Sequence, residues 1–333
     1  MKKTLFTLAL ALIVSAIFSA VWHVNNIPGI TADFNNLDVA CSSSQVADYD
    51  TLYVYGSPTQ YANANLARPL TIIGPGYFLG QNPGLQNNLT PARVDYITFD
   101  VGSSGSLISG MTITNLTVYA SNVVVQRNCI YELWIYGSNC IVLQNYISNP
   151  QVWQTEIYVN GANYLISNNY IPMGGNGWSF QATSNSSGVF ANNIVEGSCE
   201  FYNAEVYNCI FSIFDDYWGR NFNFDANTSF HHNVFRAMNN WNWQTNTTIT
   251  GEGNLYDVPG ELYVATGSQD GYYQLCPGSP AIGVGISGQD CGIFGGLTPY
   301  HLSGIPAIPT IYEFTAPATG FVIPVQIKAR SNN

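Results

Sequence analysis

One pattern of apolar and polar positions recurs along the middle of the chain. It consists of an apolar residue, two spacers, an asparagine, one spacer and a second apolar residue, as in Val125 to Ile130. Clear copies are centred on Asn128, Asn145, Asn169, Asn193 and Asn233, a degenerate copy on Asn208 and a fading copy on Asn254. The 126 residues between the first and last of these contain six intervals, with a mean of 21. A drifting repeat of this length predicts a solenoid, in which each turn buries its apolar face against its neighbours.

A second strand-like run precedes several of the asparagine phrases. Glu132 to Tyr136, Glu156 to Val159 and Phe222 to Asp225 alternate with period two and end near a glycine or asparagine corner. Each turn is therefore predicted to contain at least two strands and a tight corner. The leucine-rich repeat is the alternative, because its core also places an asparagine between apolar positions. Two features favour a parallel β-helix. Val, Ile, Phe and Tyr stand where that repeat has Leu, and no helical run returns the chain.

Motifs near both ends of this region resemble a known superfamily. Asp50 to Val54, followed after a gap by Leu70 to Gly74, resembles the first rungs of right-handed β-helix proteins of the pectin-lyase-like superfamily. Ser279 to Gly283 and Asp290 to Gly296 resemble the closing rung of secreted bacterial β-helix proteins. The resemblance covers about residues 22 to 298. It implies an all-β, right-handed parallel β-helix.

The same resemblance implies a short capping helix before the first rung and a ladder of stacked asparagines. Residues 34 to 46, with Leu37, Ala40 and Cys41 at helical spacing, are the expected cap. In the ladder, asparagine is suitable because it tolerates a left-handed backbone and its amide both donates and accepts hydrogen bonds. We therefore expect the ladder residues to be structural. They are Asn128, Asn145, Asn169, Asn193 and Asn233.

The two termini differ from the repeats. Lys2 and Lys3, an apolar run from Leu5 to Phe18 and small residues up to Ala20 predict a secretory signal peptide over residues 1–20, with an uncleaved anchor as the alternative. We expect a cap over 21–50 and the β-helix over 51–298. The proline-rich segment 299–333 is predicted to be an extended strap or cap over the last rung, or else a tether or secretion signal.

The low charge of the chain limits the kinds of molecule that it is expected to bind. Only 9% of residues are charged, and the formal net charge is −11. Such a chain lacks the basic surface that nucleic acids require. We expect a secreted or cell-surface protein with no membrane span after signal cleavage, whose partners are extracellular polysaccharide or cell-surface components.

The seven cysteines are an odd number, so at least one has no intramolecular partner. Cys276 and Cys291 are the predicted disulfide, because they bracket a loop near the end of the repeats and the chain is expected in an oxidising compartment. Cys129 and Cys209 each follow a repeat asparagine and are expected to be small buried residues. No spacing resembles a zinc site, and no metal or cofactor is predicted.

Catalytic candidates come from likeness to pectate lyases, which hold calcium with aspartates and use a basic residue as proton acceptor, and to polygalacturonases, which use paired aspartates, a histidine and an Arg/Lys pair. The candidates are Asp215, Asp216, Arg220, Asp225, His231 and His232. The chain departs from both families, since it has no Gly-His-Gly, no Arg-x-Lys in the rungs and no calcium loop. Calcium is expected only if the protein is a lyase.

A second set of candidates is aromatic. Indole and phenol rings with neighbouring amides suit the apolar faces and the hydroxyls of sugars, although packing between rungs is a competing explanation. The candidates are Tyr217, Trp218, Trp241 and Trp243. We therefore predict a non-catalytic protein that presents a rigid face for glycan binding or adhesion. The alternatives are a polysaccharide lyase or glycoside hydrolase, and a purely structural assembly protein.

Overall fold

A computed structural model describes residues 19–148, 155–173, 178–212, 222–236, 249–316 and 324–332. Nearly all of the predicted signal peptide therefore lies outside the described residues. Among the helices that are described, none has the length and apolar character needed to cross a bilayer.

The described part of the chain is built almost entirely from short strands. In chain order they are β1 (Val21–Val24), β2 (Thr51–Val54), β3 (Ala64–Leu66), β4 (Thr71–Ile73), β5 (Arg93–Phe99), β6 (Leu107–Ser109), β7 (Thr112–Val118), β8 (Val124–Gln126), β9 (Cys129–Ile135), β10 (Ile141–Leu143), β11 (Tyr146–Ile147), β12 (Ile157–Val159), β13 (Tyr164–Ser167), β14 (Tyr170–Ile171), β15 (Trp178–Ala182), β16 (Gly188–Ala191), β17 (Ile194–Val195), β18 (Ser198–Phe201), β19 (Ala204–Tyr207), β20 (Ile210–Phe211), β21 (Phe222–Phe224), β22 (Ser229–His231), β23 (Val234–Arg236), β24 (Leu255–Val258), β25 (Thr310–Thr315) and β26 (Gln326–Arg330).

The first 24 of these strands form two long sheets. Sheet A has ten parallel strands in the order β1-β2-β4-β6-β8-β10-β13-β16-β19-β22. Sheet B has 14 strands and divides into two rows of paired strands at β9. One row begins where Cys129 and Ile130 of β9 pair with β11, and the other begins where the last three residues of β9 pair with β12. All strand pairings within the described part of these sheets are parallel. This confirms the parallel β-helix and excludes the horseshoe, because no helix connects the described rungs.

The core is a stack of inward-facing apolar side chains. The first apolar residue of each phrase pairs in register with that of the next, from Val125 to Val142 and Ile166, then to Phe190, Val206 and Phe230. All of these are buried. Burying each side chain contributes about 1.5–3 kcal/mol, so the repeated apolar positions hold the rungs together.

The first rung is covered by a short helix, α1 (Leu37–Ser42). Asn36 caps its N-terminus and accepts hydrogen bonds from the backbone N–H groups of Leu37 (3.0 Å) and Ala62 (2.8 Å). Leu37, Ala40 and Cys41 are buried against the core, at the helical spacing expected for a cap.

The asparagine ladder lies at one corner of the rungs. The Oδ1 atom of Asn169 accepts from the backbone N–H of Asn145 at 2.9 Å, and its Nδ2 donates to the carbonyl of Val142 at 3.0 Å. Asn128, Asn145, Asn193, Asn233 and Asn254 make the equivalent bonds. The five clear repeat asparagines have no exposed surface. The ladder therefore satisfies buried backbone groups between successive rungs.

Two expectations about this corner are wrong. The degenerate rung places Cys209 in the ladder, not Asn208, and the Cys209 Sγ atom accepts from the backbone N–H of Asn193 at 3.4 Å. The left-handed backbone belongs to the residue before each ladder position, not to the ladder asparagine. These residues are Arg127, Gln144, Asn168, Asn192, Asn208 and His232, with φ between 54° and 58°. The ladder thus selects asparagine for its amide alone.

Residues 281–306, which we call the strap, run back along the column formed by the residues that precede the ladder positions and have a left-handed backbone. Cys291 Sγ contacts the carbonyl of His232 at 3.3 Å, and Gly292 N–H donates to the carbonyl of Asn208 at 2.8 Å. Further along, side chains of the column donate to strap carbonyls. These bonds join Asn168 Nδ2 to Ile293 (2.9 Å), Gln144 Nε2 to Pro299 (2.6 Å) and Arg127 Nη1 to Ile305 (3.0 Å). The strap starts before residue 299 and covers the flank of the rungs from His232 back to Arg127, and does not close over the last rung as expected.

The chain ends in an antiparallel hairpin of β25 and β26 beside the early rungs. The backbone N–H of Asn87 donates to the carbonyl of Ile311 at 2.9 Å, and Arg330 Nη2 donates to the carbonyl of Leu85 at 3.0 Å. The C-terminus therefore packs against the loop that follows β4.

All seven cysteines are free thiols, so the predicted Cys276–Cys291 disulfide is not formed. Cys291 is a buried residue of the strap and lies against His232, whereas Cys276 is half-exposed and contacts the carbonyl of Glu261. Burial raises the pKa of Cys129 and of Cys291 to about 12. Thiols of this kind are unreactive core residues, as expected for Cys129.

Candidate functional site

Most of the catalytic and ligand-binding candidates from the sequence lie outside the described residues. This holds for Asp215, Asp216, Tyr217, Trp218 and Arg220 in segment 213–221, and for Trp241 and Trp243 in segment 237–248. The remaining candidates are Asp225, His231 and His232.

Asp225 is part of a corner turn. Its Oδ1 accepts from Thr228 Oγ1 at 2.6 Å and from the backbone N–H of Asn203 at 3.0 Å. Burial opposes ionisation, but these hydrogen bonds outweigh it and hold the pKa of the Asp225 carboxyl below its ordinary value. A carboxylate stabilised in its ionised form is a poor proton donor, so Asp225 stabilises the turn.

The two histidines are adjacent, but the structure does not bring them to Asp225. The His231 ring stacks on Tyr207 at 5.3 Å, and its Nε2 lies 3.2 Å from Glu205 Oε1 on the outer face of sheet A. His232 occupies the left-handed position of its rung, and its Nδ1 lies 3.3 Å from that of His231. Both are thus occupied by partners within the rungs.

The sequence analysis missed a glutamate that shares a column with Ser212 and Arg236, the last described residues before segments 213–221 and 237–248. Val195, Phe211 and Phe235 pair in register, so Glu196, Ser212 and Arg236 follow one another along one column. Glu196 Oε2 accepts from Tyr170 OH at 2.7 Å. Burial raises the pKa of the Glu196 carboxyl, although the Tyr170 hydrogen bond and the Arg236 charge oppose the shift. This column is a candidate acid site.

An aromatic cluster covers part of the outer face of sheet B. Tyr119 and Tyr136 stack with centroids 5.0 Å apart and planes 16° from parallel, and Trp134 packs against Tyr158 at 5.4 Å. These rings pack on one another across successive rungs, while Tyr119 keeps 47% of its surface exposed. The cluster stabilises the sheet, as cross-strand aromatic pairs do.

A different feature is open to ligands: a groove of about 490 Å³ on the outer face of sheet A, beside the C-terminal hairpin. None of the described residues that line it is a lysine, arginine, aspartate or glutamate. They are Val21, His23, Tyr53, Tyr55, Gly56, Pro75, Gln86, Asn87, Asn88, Ile308, Pro309, Thr310, Ile311 and Phe314.

One wall of the groove is aromatic. His23 and Tyr53 pair in register on β1 and β2, and Tyr53 and Tyr55 alternate outward on consecutive odd positions. The Tyr53 and Tyr55 rings meet edge to face at 4.9 Å, and Tyr55 OH lies 3.1 Å from His23 Nδ1. Burial, with a contribution from Tyr55, raises the pKa of the Tyr53 hydroxyl, which keeps it neutral.

The other walls come from distant parts of the chain. Gln86, Asn87 and Asn88 supply amides, and Ile308 to Phe314 supply an apolar side. Gly56 permits the close approach of the amide loop, because a Cβ atom at this position would lie 1.9 Å from the carbonyl oxygen of Thr90. The Tyr53–Tyr55 alternation was visible in the sequence, but its partners more than 200 residues away were not.

Comparisons with known proteins do not assign the chain to a family: no protein-family model matches it, and no curated protein is significantly similar.

Proposed function

We propose that the protein is an exported, non-catalytic β-helix protein of the pectin-lyase-like type that binds a neutral glycan in the groove, outside the cell or at its surface. The observation that carries this proposal is the lining of the groove, whose described residues include no Lys, Arg, Asp or Glu and place aromatic rings on one side and amides on another. The signal-like N-terminus and the low charge support export.

The side chains that line the groove are of the kinds that bind saccharides. Sugar rings pack their apolar faces on aromatic side chains, while amides of the Gln86 to Asn88 loop both donate to and accept from hydroxyls. A volume of about 490 Å³ lies in the range of small-molecule sites, roughly 300–1,000 Å³. The net charge of −11 disfavours acidic polysaccharides, which leaves neutral glycans as the expected ligands.

The test is calorimetric titration with neutral oligosaccharides of glucose, galactose, mannose and xylose. Tyr55→Ala removes an aromatic wall, and we expect it to weaken binding at least tenfold, because buried aromatic contacts dominate such sites. Tyr96→Ala is the matched control, since Tyr96 is an exposed tyrosine on the outer face of sheet B. Absence of binding by the native protein, or equal loss in both variants, contradicts the proposal.

A second candidate function, cleavage of a polysaccharide, is favoured by the acid column. A carboxyl whose pKa is raised by burial is suited to act as a general acid, and Glu196 has this property in the column that also holds Arg236. Asp215 and Asp216 follow Ser212, a residue of the same column, closely in the sequence. Reducing-end and unsaturated-product assays on pectic, alginate and neutral glycans test this function. Activity that Glu196→Gln or Asp216→Asn abolishes would favour it over pure binding.

A further inference from the structure

The C-terminal hairpin exposes one apolar face. Phe314 pairs directly with Ile327, and Ile311 pairs with Ala329, so all four side chains lie on the same side of the hairpin. Val325 extends this side by one position. Phe314, Val325 and Ile327 are each at least half exposed. Isolated hairpins are only marginally stable, and an uncovered apolar face on one is costly unless something uses it.

The opposite side of the hairpin is polar and already engaged. Lys328 Nζ lies 2.7 Å from Glu313 Oε2, and the Arg330 guanidinium lies over the Tyr312 ring at 5.5 Å. The hairpin thus has one polar side, whose charged groups have partners, and one apolar side that is exposed.

The apolar side continues directly into the groove. Ile311 and Phe314 line the groove and also belong to the apolar face, where Ile327 is the cross-strand neighbour of Phe314. A molecule that starts at Tyr55 and the amide loop and extends outward past Phe314 therefore meets aromatic and amide groups first and aliphatic groups afterwards. This gradient from polar to apolar fits an amphiphile.

The edge of the hairpin disfavours strand-to-strand pairing with a second copy of the chain. β26 is an edge strand that carries Lys328 and follows Pro324, and lysine and proline at sheet edges oppose pairing with another strand. A small ligand avoids this obstacle, because it covers the face without pairing to the edge.

We propose that the ligand is a neutral glycolipid, with its saccharide in the groove and its alkyl chain on the hairpin face formed by Ile311, Phe314, Val325, Ile327 and Ala329. The saccharide part of this inference rests on the proposed function. The alkyl part rests on the hairpin alone.

The experiment compares methyl and octyl glycosides of glucose, galactose, mannose and maltose by calorimetry, below the concentrations at which the octyl compounds form micelles. Each methylene that leaves water completely tightens binding about fourfold. A partly covered octyl chain is therefore expected to bind at least tenfold tighter than the methyl glycoside of the same sugar.

Two variants separate the alkyl part from the saccharide part. Val325→Ser combined with Ile327→Ser removes apolar side chains that do not line the groove, and should abolish the octyl advantage while leaving methyl glycoside affinity unchanged. Tyr55→Ala should weaken both series. Val101→Ser is the control, because Val101 is an exposed apolar residue at a different corner.

The outcomes are distinct for the two proposals. Equal affinity for methyl and octyl glycosides overturns the glycolipid inference and leaves glycan binding intact. Failure of every glycoside to bind contradicts both. Equally strong binding to phosphatidylcholine vesicles that contain no sugar overturns the inference in favour of a general lipid surface.

Discussion

Amide side chains line two regions of this molecule, the strap-covered corner and the groove, but they serve different purposes. At the corner, the amides of Asn168 and Gln144 donate to carbonyls of the strap, so the protein's own chain occupies them. In the groove, Asn87 and Asn88 are exposed beside an aromatic wall. The difference teaches that amide side chains stabilise the fold where they bond to another segment of the chain, and offer a binding surface where they stay exposed.

The largest expected effect is at the ladder. Asn169→Ala removes the acceptor for the backbone N–H of Asn145 and the donor to the carbonyl of Val142. All three residues are fully buried, so water cannot replace the lost hydrogen bonds. Each buried polar group left unsatisfied costs about 1–3 kcal/mol, so we expect a loss of about 4 kcal/mol in the free energy of unfolding. Urea denaturation measures it. A loss below 1 kcal/mol would show that the ladder is not essential.

The matched control is an asparagine at the opposite corner. Asn163 is exposed with φ of 57°, and its Nδ2 donates to Asn139 Oδ1 at 3.2 Å. Glycine tolerates this backbone conformation, so Asn163→Gly should change the free energy of unfolding by less than about 0.5 kcal/mol.

The strap is the next region to test. The Arg127 side chain donates to Gln144 Oε1 at 2.8 Å and to the carbonyl of Ile305 at 3.0 Å, and it is largely buried. Hydrogen bonds to charged groups contribute about 1.5–3 kcal/mol, so Arg127→Ala should cost about 2 kcal/mol. Hydrogen exchange should become faster at residues 299–305 while the ladder amides stay protected. Uniform acceleration over the rungs would contradict a separate role for the strap.

A smaller effect of opposite sign is expected where the ladder is interrupted. The Cys209 Sγ atom lies 3.6 Å from the carbonyl of Phe190 and 3.3 Å from that of Tyr207, the kind of carbonyl positions that ladder amides bind in neighbouring rungs. Cys209→Asn should restore these bonds and raise the free energy of unfolding by about 1 kcal/mol. A decrease in thermal and urea stability would mean that the corner is too tightly packed for an amide.

The smallest effect on stability is expected in the groove, where binding should change instead. Asn87→Ala removes an exposed amide, so the free energy of unfolding should stay within about 0.5 kcal/mol of the native value. Affinity for the neutral glycan should fall about fivefold to tenfold, since one hydrogen bond contributes about 1 kcal/mol. A stability loss comparable to that of Arg127→Ala would show that this amide stabilises the fold, as the amides under the strap do.

The sequence predicted the features that recur and failed on those that do not. The spacing of Asn128, Asn145 and Asn169 predicted the rungs, and the resemblance to β-helix proteins predicted the ladder, in which every turn repeats the same hydrogen bonds. Cys209 was misplaced by one residue, since a thiol gives no asparagine signal and Asn208 stands beside it.

The groove and the acid column were not predictable in the same way. The groove combines Tyr55, Asn87 and Ile311, which no local pattern relates, and its shape depends on where the C-terminal hairpin packs. Glu196 occupies a position that carries no charge in the neighbouring rungs at Pro172 and Ser212, so its relation to Arg236 became visible only through strand register.

Hydrogen exchange in the presence of the tightest-binding neutral glycan tests glycan binding in the groove most directly. We predict protection at residues 53–56, 86–88 and 308–314, with little change at the corner of Glu196 and Arg236. Protection confined to that corner, or to the outer face of sheet B, would contradict the groove as the binding site.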